Sequence, residues 1–190
     1  MEGPTVSASE AFSRLVEGNR RFLEGKVPEL SFRERMTDTA DNGQHPYAII
    51  VTCSDSRVVP EFIFCTGLGD LFVIRGAGNT IDDCTLGSIE YAIAHLGCKL
   101  VVVLGHTSCG AVTAAVQGSR EMHISNITDR IQSCLCGEKD IGCACRKNIL
   151  NTLRIVENDL PDRHDVRYVG GMYDIREGTV EFFEDLHETE

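Results

Sequence analysis

The chain has 190 residues, of which 42% are hydrophobic and 25% are charged, a balance typical of a soluble globular protein. Its length predicts one domain over residues 1–190, and its formal charge of −11 argues against nucleic acid and anionic membranes as partners. No apolar run approaches the roughly 20 residues of a membrane-spanning helix, and the N-terminus lacks a signal-peptide pattern. We therefore expect a cytoplasmic protein.

Residues 1–45 are predicted to form an N-terminal helix and arm. An amphipathic pattern over residues 7–25 predicts a helix that Gly25 and Pro28 end. Residues 29–45 are polar and poorly patterned, so we expect a loop or short arm with one weak helical turn. Such an arm either packs on a partner subunit or covers the chain's own sheet.

Strands and helices alternate through the rest of the chain. The expected strands lie at residues 47–52, 70–75, 100–104, 166–173 and 179–183. The expected helices lie at residues 83–96, from near residue 108 onwards, and at 146–160. This order predicts an α/β fold with a mainly parallel central sheet flanked by helices, with the last two strands forming a C-terminal pair.

Two short motifs follow strands of the predicted sheet. Cys53 comes directly after one strand in the run C-S-D-S-R, and His106 and Cys109 follow another in the run H-T-S-C. Because such strand ends meet at one sheet edge, we expect these three side chains to lie together. Two thiolates and an imidazole suit zinc, and three protein ligands are typical of a catalytic site. Ordinary core residues or a closed structural zinc are the alternatives.

A carboxylate and a guanidinium accompany this ligand set. If the strand continues past Cys53, alternation places Asp55 and Arg57 on the same side as the thiol. Arg57 is then positioned to hold Asp55, although Asp55 could itself occupy the fourth metal position. Cys109 is expected in the first turn of its helix, where the macrodipole lowers the pKa of a thiol.

Nine cysteines are many for a chain of this length. Their odd number and the expected intracellular location favour metal ligation and buried free thiols over a disulfide framework. Four of them form two C-x-C pairs within a cysteine-rich insertion at residues 133–146, namely Cys134, Cys136, Cys143 and Cys145. These four could bind a second metal, form redox-sensitive disulfides, or lie in an exposed loop without a ligand.

From about Gln44 to Phe183 the sequence resembles the β-class carbonic anhydrases. The resemblance is carried by the two motifs above and by four supporting segments: G-D-L-F-V-I-R-G-A-G-N at 69–79, S-I-E-Y-A-I at 88–93, V-L-G-H-T-S-C-G-A-V at 103–112 and V-G-G-M-Y-D-I at 169–175. It implies one zinc ion per chain, bound by Cys53, His106 and Cys109. It also implies that Asp55 accepts a hydrogen bond from a zinc-bound hydroxide and pairs with Arg57.

The resemblance further implies a substrate cleft and a partner chain. The expected substrate-binding residues are Gln44, Phe72, Tyr91 and Gly110, with Gln44 reaching in from the other subunit of a homodimer or a dimer-based higher oligomer. The implied activity is the reversible hydration of carbon dioxide to bicarbonate and a proton by the zinc-bound hydroxide. The alternatives are hydrolysis of carbonyl sulfide or carbon disulfide on the same scaffold, and a zinc- or redox-responsive binding protein.

Overall fold

The computed structural model of the chain describes residues 6–26, 32–160 and 165–183. The strands in this part are β1 (Ala48–Cys53), β2 (Leu71–Gly76), β3 (Leu100–His106), β4 (Arg167–Tyr173) and β5 (Val180–Phe183). The helices are α1 (Ala8–Leu23), α2 (Phe32–Asn42), α3 (Pro60–Ile63), α4 (Asp83–Leu96), α5 (Gly110–Gln117), α6 (Ser125–Leu135) and α7 (Ile141–Asp159). A single 3-10 turn, Ala77–Asn79, follows β2.

The strands form one sheet in the order β2-β1-β3-β4-β5. The first four are parallel, and β5 runs antiparallel to β4. Every residue of β1 and β3 is buried, as expected for central strands that are covered on both faces and rich in Val and Ile. The predicted α/β class with a mainly parallel sheet is therefore confirmed.

Helices cover both faces of the sheet. On one face, Ala11 and Leu15 of α1 pack against alternate residues of β1 and β3. On the other face, α4 and α7 pack against the remaining residues of the same strands. A third apolar cluster joins α5, α6 and α7, and it includes Cys53 and Cys109. The described residues contain no helix that is long and apolar enough to cross a membrane.

The prediction for residues 29–45 is wrong where the structure describes them, because α2 is a helix of 11 residues rather than a single weak turn. Phe32 and Met36 are spaced as on one helical face, but both are about half exposed. Arg35 holds the helix to the body of the chain by donating to the Leu68 carbonyl at 3.0 Å and by pairing with Asp70. Since α2 buries none of its residues, its sequence lacks the apolar stripe that usually predicts a helix.

The cysteine-rich segment is mostly helical rather than a loop. Cys134 lies in α6, whereas Cys143 and Cys145 lie in α7, which begins five residues before the predicted start at 146. Asp140 caps α7 by accepting a hydrogen bond from the Cys143 N–H at 2.8 Å. The segment is thus a connection between two packed helices.

Candidate metal centre

Three buried side chains meet where β1 and β3 end. Cys53 is the last residue of β1, His106 is the last residue of β3, and Cys109 occupies the N-cap position of α5. Their ligand atoms all lie within 4.8 Å of one another. Ser108, with φ of 56°, makes the tight turn that brings Cys109 back beside His106. The structure therefore brings together the three residues that the sequence predicts as metal ligands.

The geometry of these three residues fits a zinc ion. The Cys53 and Cys109 sulfurs are 4.0 Å apart, close to the ~3.8 Å that tetrahedral zinc–thiolate bonds produce. His106 Nδ1 donates to the Thr107 carbonyl at 2.9 Å, which leaves Nε2 with a free lone pair. That Nε2 atom is buried and, within the described residues, has no hydrogen-bond partner. Such an orphaned imidazole nitrogen between two thiols is the donor set that zinc prefers.

The two thiols influence each other's ionisation. The hydrogen bond from Cys109 lowers the pKa of Cys53 to about 4, with further help from His106 and the Gly78 N–H. The Cys53 thiolate, together with burial, raises the pKa of Cys109. The expected lowering of the Cys109 pKa at the helix N-terminus is therefore not found, because the hydrogen bond with Cys53 and burial both act to raise it. Burial acts to lower the pKa of His106, but the Cys53 thiolate raises it overall.

Asp55 and Arg57 form a closely held pair beside this ligand set. The Arg57 side chain donates to both carboxylate oxygens, at 2.9 and 2.7 Å, and the Arg57 backbone N–H donates to Oδ1 at 2.9 Å. The Arg57 guanidinium holds the pKa of Asp55 well below its usual range. Asp55 Oδ2 lies 3.9 Å from His106 Nε2. The carboxylate thus stays ionised next to the ligand set.

The backbone reaches this arrangement by a turn rather than by continuing the extended conformation of β1. The Val58 N–H donates to the Asp55 carbonyl at 3.0 Å, and the Asp55 side chain accepts from the residue two positions on. Such an Asx turn is a common local structure for Asp, and it competes with extended backbone.

Arg75 also belongs to this site, although it lies in neither of the two sequence motifs. Its guanidinium donates to three carbonyls at the end of β1 and in the loop that follows, those of Cys53 at 3.2 Å, Asp55 at 2.7 Å and Val58 at 2.9 Å. Arg75 therefore holds the segment that carries both a candidate thiol ligand and the carboxylate. The signal that was available is its place at the end of β2, the strand beside β1.

The predicted substrate-binding residues fall into two places. Gly110 directly follows Cys109, and the space where its side chain would lie is open. Phe72, by contrast, pairs with Ile49, four residues before Cys53 and hence roughly 13 Å along the strand. The Phe72 ring lies 6.4 Å from that of Tyr91, which is 48% exposed. Within one chain, Phe72 and Tyr91 therefore lie away from the metal ligands.

Gln44 lies on the same side of the molecule as Tyr91. Both line an open groove of about 1070 Å³ that is formed by the loops before β1 and β2 and by the end of α4. None of the three predicted metal ligands lines this groove, which we call the Gln44 groove. Because β1 and β2 are parallel, the Gln44 groove and the metal ligands lie at opposite edges of the sheet.

The four cysteines of the C-x-C pairs are not brought together as a second set of potential metal ligands in the described part of the chain. The set of Cys53, His106 and Cys109 is the only group of three or more potential metal-binding side chains found within the described residues. Cys136 and Cys143 are exposed free thiols, whereas Cys145 is buried beside Cys53 and Cys109. Burial raises the pKa of Cys145, as expected for a packed thiol.

Comparisons with known proteins point to one family. A family model described as carbonic anhydrase matches residues 48–180. Carbonic anhydrase 2 of Mycobacterium tuberculosis is 43% identical over 145 residues, which cover 72% of this chain and 69% of that protein.

Two solved structures share the fold over most of the chain. The β-carbonic anhydrase CcaA superposes with a TM-score of 0.70 at 29% identity, covering 92% of this chain and 90% of that one. A β-carbonic anhydrase from Sordaria macrospora, described as tetrameric, superposes with a TM-score of 0.71 at 23% identity, covering 92% and 97%.

Proposed function

The chain belongs to the β-class carbonic anhydrase family, and we propose that it catalyses the reversible, zinc-dependent hydration of carbon dioxide to bicarbonate and a proton. The observation that carries the proposal is the buried set of Cys53, His106 and Cys109, with the unpartnered His106 Nε2 between two thiols. Zinc, when bound by these ligands, supplies an acidified water as the nucleophile.

The residues around the ligand set have separate roles in this proposal. Cys53, His106 and Cys109 would hold one zinc ion per chain, and a site with only three protein ligands would stay accessible to water. Arg57 keeps Asp55 ionised and fixes the direction of its carboxylate through two side-chain hydrogen bonds. Asp55 accepts a hydrogen bond from the nucleophilic water and thereby orients it toward carbon dioxide. Gly110 leaves room for the substrate beside Cys109.

A second copy of the chain completes the cleft in this proposal. The Gln44 groove is open and presents the half-exposed Tyr91, while the metal ligands lie at the other edge of the sheet. In a homodimer, or in a larger assembly built from dimers, Gln44, Phe72 and Tyr91 of one chain line the cleft at the metal centre of the other. The location that we propose is the cytoplasm.

The substrate is tested by assaying the purified, zinc-loaded protein against carbon dioxide, carbonyl sulfide and carbon disulfide. We expect rapid hydration of carbon dioxide at mildly alkaline pH and little release of sulfide. Negligible hydration together with brisk sulfide release contradicts the proposal and identifies the chain as a hydrolase of one of the sulfur compounds.

The role of the metal is tested by two matched cysteine variants. Cys109→Ala removes a ligand, whereas Cys145→Ala removes a buried thiol of the same apolar cluster. We expect Cys109→Ala to lose both zinc and activity and Cys145→Ala to retain one zinc per chain. Two or more metal ions per wild-type chain, without hydration activity, favour a metal- or redox-responsive binding protein instead.

A further inference from the structure

The 3-10 turn after β2 contacts the metal centre through its backbone. The Gly78 N–H donates to the Cys53 sulfur at 3.3 Å. Gly78 has φ of 67°, and a Cβ at this position would lie 2.8 Å from Ile131 Cδ1 and 3.1 Å from Ala111 Cβ. Only glycine therefore fits here without displacing its neighbours, and the close packing brings the peptide N–H to the sulfur.

The other side of the turn is held by α7. Asn148 is 2% exposed, and its side-chain amide donates to the Gly78 carbonyl at 2.7 Å. One helical turn later, the Thr152 hydroxyl donates to the Asn79 carbonyl at 3.3 Å. Residue Gly78 thus accepts a hydrogen bond from α7 through its C=O and donates one to Cys53 through its N–H.

We propose that Asn148 is a positioning residue of the metal centre, which acts on the Cys53 thiolate through Gly78. The Asn148 amide fixes the turn, so that the Gly78 N–H stays directed at the sulfur. A hydrogen bond to a metal-bound thiolate orients the ligand and adjusts the negative charge that it donates to the metal. This inference rests on the proposed zinc site, and it assigns a function to a helix that carries no metal ligand.

Thr152→Val is the matched control for a purely structural role. Asn148 and Thr152 lie one turn apart on α7, both are buried, and each donates to a carbonyl of the same 3-10 turn. Only the carbonyl bound by Asn148 belongs to the residue whose N–H reaches Cys53. If α7 only stabilises the fold, removing either donor changes the zinc affinity by the same factor.

The experiment compares Asn148→Leu, which removes the amide at similar size, with Thr152→Val and the wild type. Zinc affinity is measured by competition with a chromophoric chelator, and the thiolate-to-metal charge-transfer band is recorded after loading with cobalt. We expect Asn148→Leu to bind zinc about 10-fold more weakly, with a shifted band, because loss of such outer contacts typically has that effect. Thr152→Val should stay within about twofold of the wild type, with an unchanged band. Equal effects in both variants, or none in Asn148→Leu, overturn the proposal.

A measurement on the wild-type protein covers the case in which Asn148→Leu does not fold. In protein loaded with an NMR-active cadmium isotope, a hydrogen bond to the Cys53 sulfur produces a scalar coupling between the Gly78 amide proton and the metal. We expect that coupling, and its absence in the folded, cadmium-loaded protein overturns the inference while leaving the proposed function intact. A wild-type chain that binds none of these metals contradicts the proposed function itself.

Discussion

At the scale of single residues, the metal centre depends on side chains that are fixed by their neighbours. The Thr107 carbonyl accepts from His106 Nδ1 and so determines which imidazole nitrogen faces the thiols. Arg57 occupies both oxygens of Asp55, which favours a carboxylate that orients water over one that ligates the metal. The identity of these residues was readable from the sequence, whereas the hydrogen bonds that orient them were not.

Asp55→Ala tests the role of the carboxylate. We expect it to lower carbon dioxide hydration by about 100-fold or more, since positioned acid–base groups typically contribute that much, and to retain zinc. Asp129→Ala is the control, because it breaks a similar ion pair with Arg120 on the exposed surface. Zinc content and hydration rate are measured for both variants. Loss of zinc in Asp55→Ala would make Asp55 a metal ligand and contradict the role given to it.

Cys98 provides a prediction for the dependence of stability on pH. Burial raises the pKa of this thiol from 9.0 to about 12, while its unfolded counterpart ionises near the ordinary value. The thiol therefore leaves stability unchanged below pH 9, and above it the free energy of unfolding falls by up to about 1.4 kcal/mol per pH unit. In denaturant titrations at increasing pH, the free energy of unfolding should decline less for Cys98→Ala than for the wild type. The control Cys84→Ala removes an exposed thiol, and its free energy of unfolding should decline as much as that of the wild type.

At the scale of elements, strongly apolar segments were predictable and polar ones were not. Runs of Val and Ile predict the buried strands β1 and β3, because both faces of each strand are covered. α2 has only Phe32, Met36 and Ala40 at helical spacing among polar residues. The start of α7 at Ile141 was not predicted because Gly142 and the C-x-C pair are not typical of a helix, although Asp140 is a good helix cap.

The two glycines that flank Ala77 differ in whether their positions can accept a Cβ atom. Gly76 has extended backbone, with φ of −141°, and a Cβ there would meet Thr80 atoms at 3.4 and 3.7 Å, ordinary contact distances. We expect Gly76→Ala to raise the free energy of unfolding by about 0.4–1 kcal/mol. Gly78→Ala should lower it by more than about 1 kcal/mol, because of its positive φ and the contact with Ile131. Denaturant unfolding of both variants checks this, and changes of the same sign contradict it.

At the scale of the whole molecule, the parallel sheet separates the candidate metal centre from the Gln44 groove. The C-terminal ends of β1 and β3 carry the metal ligands, and this was predictable because parallel strands end at a common edge. The Gln44 groove lies at the other edge, and its distance from the metal centre was not readable from the sequence. Contacts such as those of Arg75 and Asn148 depend on how distant segments cross, which no local pattern reports.

Subunit complementation tests whether the cleft is shared between chains. One variant carries Gln44→Ala and Tyr91→Ala, the other carries Asp55→Ala, and the two are unfolded and refolded together. Random pairing leaves about a quarter of the sites intact if each cleft combines the metal centre of one chain with the groove of the other. We expect hydration activity to return to about that fraction. A mixture of Asp55→Ala with Cys109→Ala is the control and should stay inactive, and no recovery in the first mixture contradicts a shared cleft.

The most direct test of the account is a titration of metal-stripped protein with zinc, with the rate of carbon dioxide hydration recorded at each addition. We predict a rate that rises in proportion to added zinc and reaches a plateau at one zinc ion per chain, because Cys53, His106 and Cys109 form a single site in the described residues. Cys109→Ala should show no such rise. A hydration rate that is independent of zinc, or an equal rise in Cys109→Ala, would contradict the account.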